Sequence, residues 1–391
     1  MRTVETLIIG GGVIGASIAY HLAERGCKNI LVIERSGELG AGSTSRATGG
    51  FRCQFGTAAN VRLSLLARAK LLRFKDELGV DSGYSPCGYL FLAHNERELE
   101  ALRAAQRVQQ AAGIREVEEV RSMEIQTINP ALAMDSIIGG TFCSIDGFIR
   151  PMNILEGYAR GAQERGVQFE FGVECQAFSL AKINEVTSKI ERARTSLGEI
   201  ALGRVINAAG AWAGRLAQQA GIEVPVFPLC RQVAVVREEN LLPDEMPMTI
   251  FINDGFHFRV RDGRVLLLLP VDITPTHPFE IKVEDAWIEQ VAARARRSVR
   301  PLAQITIDRK LSWAGLYEIS PDKHALIGQA PGIENFYLAN GSSGHGVMHA
   351  PAIRQLLAEI ILDGAATMVD ACAFRPSRFL EGRPNVSTEF L

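Results

Sequence analysis

The polarity pattern opens on a mostly apolar run, residues 4–9, that predicts a buried strand. The turn Gly10-Gly11-Gly12-Val13-Ile14-Gly15 follows, and an Ala- and Leu-rich stretch over 13–25 predicts a helix that Gly26 stops. A second apolar strand over 29–33 ends at Glu34. Past this βαβ unit, Leu63, Leu66, Ala67 and Leu71 recur at helical spacing, predicting a helix over 60–78 that covers the sheet. Residues 84–92 predict a strand, 96–112 a charged helix and 117–123 a second short helix. The pattern is extended over 139–148, helical over 153–165, and extended over 167–171 and at Val173, ahead of a polar hairpin around 182–194. Residues 205–212 read as a buried strand ending in a small-residue turn.

Short strands over 232–236, 249–252, 257–260 and 265–269, with Asp262-Gly263 as a hairpin turn, predict an antiparallel sheet separate from the opening βαβ unit. The successive Leu266, Leu267, Leu268 and Leu269 suit a strand buried on both faces. A helix over 284–299, a strand over 336–338, a small-residue loop over 340–346 and a helix over 347–362 complete the chain. No internal repeat interrupts it. The expected fold class is α/β: a Rossmann-type domain beside a second, α+β domain built on an antiparallel sheet.

The first turn carries chemistry. Gly10 permits the tight exit from the strand, Gly12 lets backbone approach a pyrophosphate, and Gly15 lets the helix pack closely on the sheet. The helix N-terminus then faces the phosphates. Glu34 can accept both ribose hydroxyls and would repel a 2′-phosphate, which argues against NADP. These residues leave NAD and FAD open. The loop over 40–50 brings small residues, hydroxyls and one guanidinium, and the loop over 340–346 repeats the order of strand, small residues and helix. Two helix N-termini aimed at one ligand, with contacts from the chain's beginning, middle and end, suit a stationary flavin better than a diffusible nicotinamide.

The chain has 391 residues, 47% of them hydrophobic, enough for two domains or one large α/β body. Lys plus Arg total 42 against 44 Asp plus Glu, so no global field attracts nucleic acid or an anionic membrane. Seven cysteines without a CxxC pair argue against zinc and against a disulfide framework; no metal site is expected. No apolar run reaches the roughly 18 residues of a membrane span, and the N-terminus lacks a secretory pattern. The expected location is cytoplasmic, with peripheral membrane association left open.

Six motifs in this order resemble the FAD-dependent amino-acid and amine oxidoreductases of the D-amino-acid oxidase superfamily, which include sarcosine oxidase, glycine oxidase and L-proline dehydrogenase. They are the opening glycine turn with Glu34; Gly42-Ser43-Thr44-Ser45; Asn207-Ala208-Ala209-Gly210-Ala211-Trp212; residues 317–328; Gly344-His345-Gly346; and Phe374-Arg375-Pro376-Ser377-Arg378-Phe379. The resemblance spans essentially the whole chain. By position it implies Gly10, Gly12, Val13, Ile14 and Gly15 around the FAD pyrophosphate and Glu34 and Arg35 at the adenosine ribose. Gly42, Ser43, Thr44, Ser45 and Arg46 would follow the diphosphate and ribityl chain, Val173 would meet the adenine through its backbone, and Ala208, Gly210 and Trp212 would add further contacts. Gly315, Leu316, Gly344, His345, Gly346, Val347 and Met348 would lie against the isoalloxazine.

For the substrate, the resemblance implies Arg52 at a carboxylate, where a guanidinium fork binds two oxygens. Tyr317, His345 and Met348 would flank the flavin, and His257 would come from the roofing sheet. Where one branch of the family attaches FAD through a cysteine this chain has Gly315, so non-covalent FAD is expected. Pro151 replaces a histidine that binds a second flavin elsewhere in the family. Met348 replaces a lysine used for the carboxylate of sarcosine, and no lysine lies between Asp254 and Ile281, which favours a dehydrogenase over an oxidase.

The expected activity is FAD-dependent oxidation of the C–N bond of an amino acid or N-substituted amino acid, of sarcosine, proline or opine type. Hydride would pass to flavin N5 and the imine would hydrolyse. The resemblance implies a separate electron acceptor, oxygen or a carrier, and allows a hetero-oligomer with other subunits, as in the multi-subunit enzymes. A non-catalytic flavin-binding assembly subunit and an FAD-dependent 2-hydroxy-acid dehydrogenase are the alternatives. The expected division is an FAD-binding domain from 1–80, 147–225 and 301–391, and a substrate-binding domain from 81–146 and 226–300.

Overall fold

The computed structural model describes residues 2–271 and 277–386. Its first sheet runs in the order Leu326–Gln329, Phe336–Asn340, Gly198–Asn207, Arg2–Ile9, Ile30–Glu34, Gln168–Phe171, with the hairpin strands Cys175–Lys182 and Ser188–Thr195 attached to Gly198–Asn207. Arg2–Ile9 pairs parallel to both neighbours. Residues 7–9, 30–33 and 205–206 are apolar on successive positions because both faces of the sheet are covered there. Ile8, Ile30, Val32 and Ile206 enter a core with the helices Val13–Glu24, Pro151–Glu164 and Gly346–Asp363. Leu7, Ile9, Leu31, Ile33 and Val205 enter another, with the hairpin and the helix Ala213–Gln219.

The second sheet runs Ile307–Ile319, Phe227–Glu239, Arg264–Leu268, His257–Arg261, Met248–Phe251, Tyr89–Ala93, Gly139–Cys143, Val117–Val120. All pairs are antiparallel except Met248–Phe251 with Tyr89–Ala93. Leu90, Leu92, Phe256, Phe258 and Leu267 pack behind it with Trp287 of the helix Asp285–Ser298. Tyr89, Met248, Ile250, Val233 and Leu268 are turned to the opposite face, toward a cavity shared with the first sheet. The α/β class with a sheet-built second layer is thus the observed one. Asp262 and Gly263 both take positive φ, 55° and 73°, as a two-residue hairpin turn requires.

Four local expectations are corrected. Residues 117–123 do not form one helix: Val117 and Val120 are buried around exposed Glu118 and Glu119 in a strand, and the helix is Ser122–Ile128, where the Glu124 carboxylate accepts the Arg121 N–H at 2.7 Å. The helix expected over 60–78 breaks at Arg73 into Ala58–Leu72 and Phe74–Leu78. Val173 lies just past the strand Gln168–Phe171, and the loop over 40–50 contains the short helix Ser43–Arg46. The long strand Ile307–Ile319, not anticipated from the pattern, carries Gly315, Leu316 and Tyr317 and completes the second sheet. All seven cysteines are free, and among the described residues no helix is long and apolar enough to cross a membrane.

The closing motif is anchored by a buried ion pair. Arg378 donates through Nε and Nη2 to the two Asp322 carboxylate oxygens at 2.8 and 2.9 Å, and Asn385 N–H adds a third bond at 2.9 Å. Burial alone would raise the Asp322 pKa, but these donors outweigh it and hold it at about 2, below the usual 3.8. A depressed carboxylate pKa stabilises the fold above the unfolded value and is lost as pH falls from about 4 toward 2. Arg378→Ala strands the carboxylate and should lower unfolding free energy by about 3–5 kcal/mol, read by urea titration at pH 7.

Candidate active site

A cavity of about 710 Å³ lies between the two sheets, well within the ~300–1,000 Å³ usual for ligand clefts. One end is the opening turn. Gly10 has φ 119°, and a Cβ there would stand 2.3 Å from the Ala208 carbonyl oxygen, so two chain segments meet backbone to backbone. The helix begun at Val13 has no side-chain cap at Gly12; Gly12, Val13 and Ile14 border the cavity. Val13 N–H is answered by Thr44 Oγ at 3.1 Å. Glu34 accepts Gly11 N–H on one oxygen and Ser36 N–H on the other, both at 2.8 Å, which fixes its carboxylate at the cavity wall with lone pairs to spare. Arg35 stacks over Trp212 at 3.7 Å beside it. Val173 donates its N–H to the Glu34 carbonyl at 2.9 Å, which brings the residue to the same end.

The middle of the cavity is bounded by the segment after Gly42. Ser43 Oγ donates to Leu316 C=O at 2.6 Å, Arg46 donates to Ala314 C=O at 3.3 Å, and the next carbonyls are held in turn from the second sheet. Trp313 donates to Arg46 C=O, Arg261 to Ala47 C=O and Arg259 to Thr48 C=O, at 2.8, 3.4 and 2.7 Å. Arg46 Nε is a buried donor without an acceptor among the described residues. A donor-rich, glycine-lined channel with one such buried N–H suits the diphosphate of a dinucleotide.

At the far end, Gly344 has φ 92°, and a Cβ there would collide with the Tyr317 ring at 2.4 Å. Gly344, His345, Gly346, Val347 and Met348 all face the cavity at the start of the helix Gly346–Asp363. Arg52, 3% exposed, is held by Gln54 C=O at 2.9 Å and His345 Nε2 at 3.0 Å, and lies over Phe55 at 4.1 Å. A guanidinium only donates, so His345 must accept on Nε2 and keep its proton on Nδ1. Burial, then the charge of Arg52, pushes the His345 pKa well below its ordinary value. The loop carrying Arg52 rests on Asp146, fully buried, which accepts Cys53 N–H at 2.6 Å and Gln54 Nε2 at 3.0 Å; burial raises its pKa to about 6.

His257 and Arg231 reach this end from the second sheet, with Arg231 opposite Gly315 in register. Glu318 also faces the cavity: one carboxyl oxygen accepts Ser342 N–H at 3.2 Å, the other is buried without a partner among the described residues, and burial raises its pKa to about 7. The structure therefore brings together every residue expected at the site except two. Gly15 packs beneath the turn, where a Cβ would meet Gly10 C=O at 2.0 Å, and Ser45 points away, its hydroxyl 3.4 Å from Gly42 C=O. Sequence reasoning missed Arg231, Arg259, Glu318 and Asp146. Only the period-2 register of the sheet, which faces Arg231 and Val233 alike toward the cavity, could have exposed one of them. Among the described residues no cluster of His, Cys, Asp or Glu could hold a metal ion.

Comparison with known proteins agrees with this geometry. The family model DAO, described as FAD dependent oxidoreductase, matches residues 5–360. FAD-dependent oxidoreductase domain-containing protein 1 of Xenopus laevis is 29% identical, covering 97% of this chain and 83% of its own. Glycine oxidase of Bacillus licheniformis is 28% identical over 96% of this chain and 98% of its own. The crystal structure of L-proline dehydrogenase from P. horikoshii superposes with a TM-score of 0.89 at 28% identity, covering 98% of this chain and all of that one.

The raised carboxyl groups set a pH dependence. A folded pKa above the unfolded one means the folded protein keeps a proton that the unfolded chain releases, so stability falls as pH rises between the two values. For Glu318 that window runs from the usual 4.5 to about 7, and for Asp146 from 3.8 to about 6. The ligand-free protein should melt lower at pH 8 than at pH 6, and Glu318→Gln should remove most of that difference, measured by calorimetry.

Proposed function

The chain belongs to the DAO family of FAD-dependent oxidoreductases of the amino-acid and amine oxidase type, and from that premise we propose that it oxidises the C–N bond of an amino acid or N-substituted amino acid. The observation that carries the reading is Arg52. It is a guanidinium fixed on two sides and set in the cavity wall beside the glycine-rich start of the final helix. Such a group holds a substrate carboxylate in one orientation, and orientation supplies much of the rate in a reaction that asks little acid–base help. FAD, when bound, supplies the hydride acceptor.

The cavity fits that cofactor along its length. Glu34 would hold the adenosine ribose, Gly12 to Ile14 with Ser43, Thr44 and Arg46 the diphosphate and ribityl chain, and Gly315, Leu316 and Gly344 to Met348 the ring. Gly315 offers no sulfur for attachment, which supports non-covalent FAD. Tyr317, Met348 and Met248 give the ring end apolar walls that restrict water. The final helix points its N-terminus at this end, where its dipole favours negative charge on a reduced ring. The described residues lining the cavity include no lysine, which supports a dehydrogenase that passes electrons to a separate carrier; a partner subunit is one way to present it. The similarity to L-proline dehydrogenase and glycine oxidase makes proline, glycine and their N-substituted analogues the first compounds to try.

The test is anaerobic bleaching of the FAD-loaded protein by D- and L-amino acids, sarcosine, proline and opines, followed by air. An amine should bleach the flavin, and slow recovery in air is expected. Bleaching only by 2-hydroxy acids, or by nothing in the panel, would overturn the reading. Arg52→Met should lower kcat/KM for the best substrate by about 100-fold or more, the loss typical of a buried charge partner, with FAD retained by absorbance.

A further inference from the structure

We propose that His257 is the hydrogen-bond acceptor for the substrate amine, and that it restricts the enzyme to amines that still carry an N–H when neutral, primary and secondary but not tertiary. The assignment rests on the amine-oxidation reading and extends it to the substrate nitrogen.

The tautomer follows from the backbone. His257 Nδ1 lies 2.8 Å from the Gly255 carbonyl oxygen, and a carbonyl only accepts, so Nδ1 holds the proton. Nε2 is left with a lone pair. The residue lines the cavity, and no hydrogen bond to Nε2 is made among the described residues. Gly255 fixes the ring in this orientation from the turn preceding the strand His257–Arg261, a rigid element whose other end is clasped through Arg259 to Thr48 C=O. Burial, and then the positive fields of Arg52 and Arg231, keep the imidazole neutral, with a pKa of about 4. The same two fields act on Tyr317. The ring is therefore an acceptor at any physiological pH and too weak a base to take a proton from an ammonium group.

Its surroundings make that acceptor unusual. Of the polar groups at this end, the guanidinium groups of Arg52 and Arg231 are donors only. Glu318 accepts the Ser342 N–H on one oxygen, and its other oxygen, buried without a partner among the described residues, carries the proton over the lower half of the neutral range, where burial raises the pKa to about 7, and so donates. His345 Nε2 is already used by Arg52. An α-amino acid presents an acceptor, its carboxylate, and a donor, its neutral N–H, on one carbon. The carboxylate matches Arg52 and the N–H matches His257.

The bond strengthens as the reaction proceeds. When the Cα–H electron pair leaves with its hydrogen as hydride for FAD, the nitrogen lone pair becomes the second bond of C=N and positive charge develops on N–H. The more acidic N–H binds Nε2 more tightly than in the ground state, the kind of contact that raises a rate rather than an affinity. A neutral tertiary amine has no N–H to offer, and leaves Nε2 facing methyl groups.

The experiment is anaerobic stopped-flow reduction of the FAD-loaded enzyme by matched N-methyl and N,N-dimethyl amino acids, and by proline and N-methylproline. In the wild type the secondary amine of each pair should reduce the flavin about 10- to 100-fold faster at saturation, the range for one lost buried hydrogen bond. His257→Asn places an amide N–H where Nδ1 stood and removes the lone pair at Nε2; the preference should collapse because the secondary amine slows. His257→Gln, whose amide oxygen reaches the Nε2 position, should recover part of it. Equal rates for the two amine classes in the wild type would overturn the assignment, whether or not the variants fold. So would a His257→Asn enzyme, loaded with FAD, that keeps the wild-type preference. If neither amine class bleaches the wild-type flavin, the amine-oxidation reading itself fails, a result distinct from equal rates.

Discussion

A permanently charged guanidinium buried between two sheets is the constraint on which the site depends. Arg52 cannot shed its charge, so each buried donor must meet an acceptor or the fold bears the desolvation cost. Gln54 C=O and His345 Nε2 meet it, and Phe55 covers one face. That requirement reaches outward. It dictates the His345 tautomer, which sits on the N-cap of the final helix. The Arg52 loop is held by Asp146, and burial, with the charge of Arg52 added to it, depresses the proton affinity of His257 and His349. One charge thereby couples the early loop, the second sheet and the last helix, and leaves an electrostatically positive pocket lined by neutral imidazoles.

The second sheet does more than roof this pocket. Trp313, Arg261 and Arg259 take three successive carbonyls, those of Arg46, Ala47 and Thr48, so the segment leaving the short helix Ser43–Arg46 is gripped at every peptide. A buried peptide needs such partners, and here they come from strands distant in sequence. Arg259 also stacks over Phe148 at 3.6 Å, and burial lowers its pKa to about 10. The cofactor channel and the substrate pocket are therefore walls of one packed unit.

Much of this was legible in the chain. The opening βαβ unit and the two glycine loops announce themselves because their constraints are local: a positive φ at Gly10, a strand buried on both faces, a carboxylate at a strand end. The hairpin at Asp262-Gly263 is legible for the same reason. The strand Ile307–Ile319 was not, since as the edge of its sheet it runs exposed Arg309, Lys310 and Leu311 into half-buried Ser312 and Trp313 and shows neither a clean alternation nor a long apolar run. Val117–Val120 misled because two glutamates between two valines fit a helix as well as a half-buried strand. Of the site residues, the backbone-facing ones were found by motif, and Arg52, His257 and Tyr317 by resemblance. Arg231, Arg259, Glu318 and Asp146 escaped because what distinguishes a buried charge from a solvated one is its neighbours, and these lie from 24 residues away, for Glu318 and Ser342, to 211, for Arg259 and Thr48.

Gly344, where a single methyl would collide with Tyr317, belongs to a pocket wall that is assembled late. Its floor is laid by the first fifty residues and its end wall by residues near 344, and the hydrogen bond between Arg52 and His345, 293 residues apart, closes one of the largest loops the chain can make. Contacts of such long sequence separation form last and slowly. During synthesis the opening turn leaves the ribosome long before the wall near Gly344 exists. A chain truncated before the final helix would keep the turn and lack the wall that faces it.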